Sequence, residues 1–137
     1  MKTEEKPDIE LNALGAGCLA SCGSSCLGVV SMCLLIALSG VQLARVTPDL
    51  APDWIKIVGF LFALAIHGFA GYVVARAAKN GKMFHALIYG CLMMLLGVLS
   101  FVLPNTRQAP IGLTLVSWLL TLPMTLLGAK RAIDREY

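Results

Sequence analysis

Acidic side chains are missing from most of this chain. Its eight Asp and Glu residues lie within 4–10, 49–53 and 134–136, and none falls in the long apolar runs between them. That absence weighs against an ion-coupled carrier built on an intramembrane carboxylate. Other chemistry is missing too. There is no H-E-x-x-H pair, no phosphate-cradling G-x-x-x-x-G-K-[ST] loop and no nucleophile paired with a base, so catalysis finds little footing. Charged residues make up 14% of the chain, against about 25% in soluble domains. The net charge of +3 is too small and too scattered for a nucleic-acid partner. The opening decapeptide MKTEEKPDIE carries both signs and has no apolar core ahead of a cleavage site. It therefore reads as a polar tail over 1–14 rather than a secretory signal. The tetrapeptide Leu19–Cys22, LASC, looks like a lipoprotein box but lacks the hydrophobic segment that should precede one.

What is present is apolar surface, 58% of all residues. It falls into four runs: 19–44, 54–75, 83–103 and 111–129. Each supplies the ~20 residues a helix needs to cross ~30 Å of hydrocarbon. Helices are expected because lipid offers no partner for backbone amides. Lys56, near the start of the second run, can snorkel to the interface. Pro48 and Pro52 break the chain before the second run, and Asp53 is placed to cap it. Asn80-Gly81 makes a tight turn between the second and third runs, and PNTRQAP over 104–110 separates the third from the fourth. Short loops imply one integral membrane domain over 1–137, all-α, an up-down-up-down bundle of four transmembrane helices with a basic tail at 130–137. Lys2, Lys6, Arg76, Lys79, Lys82, Lys130, Arg131 and Arg135 make eight cations on one side; Arg45, Lys56 and Arg107 make three on the other. The excess places both termini in the cytoplasm. The setting expected is the plasma membrane, the inner membrane of a bacterial cell.

Cys18, Cys22, Cys26 and Cys33 fall within an 80° sector of a helical wheel. Soft thiolates on one face suggest copper or an iron–sulfur cluster. Against this, Cys18 to Cys26 spans about 12 Å of helix axis, and Cys33 lies about 10 Å further on. One straight helix cannot bring four such ligands to one ion, so Cys91 or a second chain would have to contribute. Acylation of Cys18 or Cys22 near the inner interface is a further use. The favoured reading treats the thiols as small packing groups. Gly15 and a stripe of Ala16, Ala20, Ser24 and Gly28 accompany them on the same run. Such residues let transmembrane backbones approach closely.

The second run repeats the theme at i, i+4: Gly59, Ala63, His67, Gly71, Ala75; Gly90 and Gly97 offer small positions on the third. His67 is an intramembrane imidazole, either a functional group or a single hydrogen bond across the bundle. His85 lies about 9 Å from it along the membrane normal, too far for the pair to clamp one haem. On the fourth run Thr114, Ser117, Thr121 and Thr125 form a hydroxyl strip, with Pro123 freeing the carbonyl of Leu119. The strip can seal a packing seam or line a polar path.

The segment His67–Gly90, HGFAGYVVARAAKNGKMFHALIYG, carries Gly71, Tyr72, Ala75 and Arg76 at the end of one run, then His85 and Ala86 at the start of the next. In this it resembles a group of small, mostly uncharacterised bacterial four-span membrane proteins. Ala70 and Ala86 replace two glycines of that pattern. The resemblance covers about a sixth of the chain. It implies the four-span layout and no biochemical role.

Three functions are expected from these residues. The first is a non-catalytic accessory subunit of a larger membrane complex, packing in the bilayer against other subunits or a second copy through its small-residue faces. The second is an oligomeric solute or ion channel lined by His67 and the hydroxyl strip. The third is a thiol-based metal or redox protein. The first requires no cofactor and no bound metal.

Overall fold

The computed structural model describes residues 9–38, 52–102 and 111–135, without side chains at 100–102, 111, 113 and 114. The expected loops over 45–51 and 104–110, the end of the first run and both chain tips lie outside the described residues. All regular structure within them is helical: α1 Leu11–Leu38, α2 Asp53–Ala77, α3 Lys82–Val102 and α4 Ile111–Asp134. The first three are long and apolar enough to cross a membrane. They mark a membrane protein. Among the described residues α4 does not reach the same apolarity. Its uncharged run over 111–129 extends into residues whose side chains are not described, and the described part takes in Lys130 and Arg131.

Two helix starts differ from the sequence reading. α1 begins at Leu11, inside the segment read as a polar tail. The carbonyl of Glu10 accepts the N–H groups of Ala13 and Leu14 at 3.0 and 3.3 Å, which closes the first turn. At α2 the cap is Pro52, in extended backbone at φ −53°, ψ 144°, with no side-chain capping bond. Its carbonyl accepts the N–H groups of Ile55 and Lys56. Asp53 is therefore not the cap: it lies one residue inside, where its carboxylate suits the positive end of the helix and meets Lys56 Nζ at 3.2 Å. That carboxylate is 92% exposed, so the pair contributes little.

α2 ends where Ala78 turns extended while still donating to the Val74 carbonyl at 3.0 Å. Gly81 then takes φ 59°, the left-handed region glycine occupies without a Cβ penalty. The expected turn at Asn80-Gly81 thus rests on a backbone angle that favours glycine.

Packing is organised around small side chains. One cluster joins Ala75 of α2, Ala86 of α3 and Ala129 and Ala132 of α4. A second joins Ala70, Val74 and Tyr89, with Leu14 and Cys18 of α1 against it. A third pairs Ile36 of α1 with Ile55 of α2. The large aliphatic residues point outward instead: Leu19, Leu27, Val30, Leu61, Leu95 and Leu119 are all exposed. A molecule with small residues inside and leucines outside is suited to a solvent as apolar as its own core.

Candidate functional site

The closest approach is between α2 and α4. A Cβ at Gly71 would fall on the carbonyl of Thr125, and one at Gly128 on the carbonyl of Gly68. Backbone meets backbone at both places, so no side-chain rotation could relieve the clash. Gly90 of α3 faces Leu122 and Thr125, and Gly97 faces the Trp118 indole. Thr121 donates to the Ser117 carbonyl at 2.9 Å and Thr125 to the Thr121 carbonyl at 2.8 Å. Both threonines are buried. Their hydroxyls bond back to their own helix, as Ser and Thr do in membrane helices. Thr114 lies outside the described side chains.

At one end of the bundle three elements are tied by polar groups. The Glu10 N–H donates to His85 Nε2 at 2.8 Å. That nitrogen must therefore be unprotonated, which leaves Nδ1 to donate to the Gly81 carbonyl at 3.1 Å. His85 is fully buried, and this pairing assigns it one neutral tautomer. The Glu10 carboxylate accepts the N–H groups of Lys79 and Asn80, each at 3.1 Å. Those bonds, from Lys79 first and Asn80 second, hold its pKa below the ordinary 4.5, and the nearby Lys79 cation adds to the effect. Glu10 thus caps α1 with its carbonyl and clasps the α2–α3 turn with its side chain. Further in, the Tyr89 hydroxyl donates to the Gly17 carbonyl at 3.3 Å and pairs with the Ser21 hydroxyl. With both ring nitrogens of His85 engaged, the cluster fastens the start of α1 to the α2–α3 turn and to α3.

This clasp is only faintly legible in the sequence. In the sequence Glu10 is one more charge in a polar tail, and Tyr89 is one aromatic within an apolar run. The one available signal was spacing: His85 and Tyr89 stand at i, i+4 on α3 and so share a face. Gly68, against Met124 and Gly128 of α4, marks a close contact outside the i, i+4 series of α2.

The other small positions have varied surroundings. Gly28 is buried against the Phe62 ring, Ala75 is fully buried, and Ala16, Ala20, Ser24 and Ala63 are half-buried. Gly59 just reaches the end of Met32, and a Cβ at Gly15 would meet nothing within 4 Å. The cysteines divide. Cys18 packs against the Tyr89 cluster, whereas Cys22, Cys26, Cys33 and Cys91 are exposed, and all five are free thiols. Among the described residues no three His, Cys, Asp or Glu side chains converge as metal ligands would. His67 is half-buried on α2, and among the described residues its Nδ1 is buried without a hydrogen-bond partner.

A groove runs beside the α2–α4 seam. Ala65 and Phe69 form part of one wall and Met124 and Leu127 part of the other, with Arg131 and Arg135 at one end.

No family model, curated protein or solved structure matches the chain.

Proposed function

We propose that this chain is a multi-pass membrane protein that serves as a non-catalytic accessory subunit of a larger membrane assembly. In this reading α4 is the fourth crossing and neighbouring helices run in opposite directions. Both ends face the cytoplasm of a bacterial cell, whose plasma membrane holds the bundle. The order of contacts supports the alternation. Along α1, Gly17, Gly28 and Ile36 meet Val74, Phe62 and Ile55, so one helix is climbed as the other is descended. Along α3, Gly90 and Gly97 meet Leu122 and Trp118 in the same crossed order. The eight-to-three distribution of cations supports the orientation. The layout of the small bacterial four-span proteins belongs to the same proposal.

One observation carries the accessory role. Gly15, Cys22, Cys26 and Cys33 lie within about 40° of one another on α1, and all four are exposed. A line of small side chains facing outward lets a foreign helix come close, and that contact drives association where lipid already satisfies apolar surface. Single-cysteine variants retaining only Cys22, Cys26 or Cys33 test this by oxidative cross-linking in native membranes. Cross-linked bands at these positions, and none from a control cysteine at Leu61, are expected. Equal absence at all positions, with a monodisperse monomer in mild detergent, would sink the accessory reading.

The channel reading keeps one observation, the unpartnered His67 Nδ1. Two hydroxyls of its strip, those of Thr121 and Thr125, are already bonded to α4 carbonyls. Solute flux in liposomes that fell in His67→Ala would revive it.

A further inference from the structure

The groove between α2 and α4 has a volume of about 580 Å3 and changes character along its length. Ala65, Phe69, Met124 and Leu127 make one end apolar, while Arg131 and Arg135 make the other cationic. Arg131 lies in the last turn of α4 and Arg135 just past the helix end at Asp134, and both line the groove. Both are exposed, and among the described residues neither has an ion-pair partner. Asp134, next to Arg135 in sequence, is the acidic residue nearest them in the described chain. The trough exists because Gly68 and Gly128 place no side chain where the helices meet. From Met124 to Arg131 the helix rises about 10 Å, so the groove runs from acyl-chain depth to headgroup depth.

We propose that this groove binds one anionic phospholipid, with its phosphate between Arg131 and Arg135 and an acyl chain along the apolar trough. The inference rests on the reading of these helices as membrane crossings, not on the accessory role. Charge complementarity selects the lipid class. Two adjacent guanidiniums attract a net negative headgroup and gain less from a choline lipid, whose own cation opposes them. A free anion would satisfy the arginines but leave the apolar trough unfilled.

The test uses the full chain reconstituted in phosphatidylcholine vesicles with and without a minor fraction of phosphatidylglycerol. Retained lipid is counted by native mass spectrometry after gentle detergent extraction. The wild-type chain is expected to retain phosphatidylglycerol over phosphatidylcholine. Retention should fall about fivefold for each of Arg131→Gln and Arg135→Gln. The double lysine variant, which keeps the charge, should preserve the preference. Ala65→Trp, at an exposed position, should plug the trough and lower retention with both arginines intact. Equal retention of the two lipids, or a double glutamine variant that behaves as wild type, would overturn the proposal. Complete displacement by millimolar inorganic phosphate would also overturn it, because the site would then hold a simple anion. Failure of the chain to insert into pure phosphatidylcholine would instead count against the membrane reading itself.

Discussion

The α2–α4 seam and the outer face of α1 use the same kind of residue to opposite ends. At the seam Gly71 and Gly128 touch the facing backbone, and the space of a missing side chain is filled by another helix. On α1 Gly15 and Gly23 look into open space. The difference shows in burial as well. Only 11% of the apolar window of α1 is buried, against 22% in α2. A small residue is therefore no mark of a contact by itself. It becomes one where the partner helix presents its own small residue at the same height, as Gly68 does for Gly128.

The comparison can be broken most severely at the seam. Gly128→Leu forces a side chain into the Gly68 carbonyl, and an overpacked core of this kind costs about 3 kcal/mol or more. A large drop in melting temperature in detergent is expected, with a similar drop for Gly71→Leu. A variant that melted like wild type would mean the two helices are not in contact. Tyr89→Phe comes next. It removes the hydroxyl that links α3 to Gly17 and Ser21 of α1, a loss of about 1 kcal/mol. Chemical unfolding would report it, and Ser21→Ala on the same bond should couple with it in a double-mutant cycle.

A smaller effect is expected at the Glu10 clasp, and it depends on pH. Its carboxyl is held below 4.5 by the Lys79 and Asn80 amides, so the charged form favours the folded state. The contribution is present above pH 4.5 and disappears as pH falls through the lowered value. Melting curves of wild type and Glu10→Gln should differ at neutral pH and converge in acid. A gap that persisted unchanged at low pH would mean the amides do not hold the carboxylate. The smallest change belongs to the α1 outer face. Gly15→Ala should leave the monomer unchanged or stabilise it by about 0.5 kcal/mol, since alanine is the better helix former. Its effect would appear instead in the cross-linking yield, which sharpens the contrast with Gly128.

Much of the layout was legible because it is local. A run of some twenty uncharged residues specifies a helix through backbone hydrogen bonds that close within four residues, whatever its neighbours do. The four helices followed, and so did the glycine turn at Gly81. The starts were less legible. Asp53 looked like a cap, yet Pro52 occupies that position because its fixed φ suits an extended residue just ahead of a helix. The early start of α1 depends on Glu10, whose role is set by residues 69 and 70 positions away in the chain. The helical wheel placed four cysteines together, but only packing against Val74 and Tyr89 separated Cys18 from the rest.

By itself the sequence determined where the chain is apolar, where it is charged and where it must turn, since those follow from each residue's own transfer energy and backbone freedom. Tertiary structure alone decided which glycines are filled by a neighbour, which face of α1 stays open, and that a glutamate from one end holds a turn near the middle. Those outcomes depend on register between helices, which is set by the sum of many weak contacts over distant positions and has no signature in any one segment.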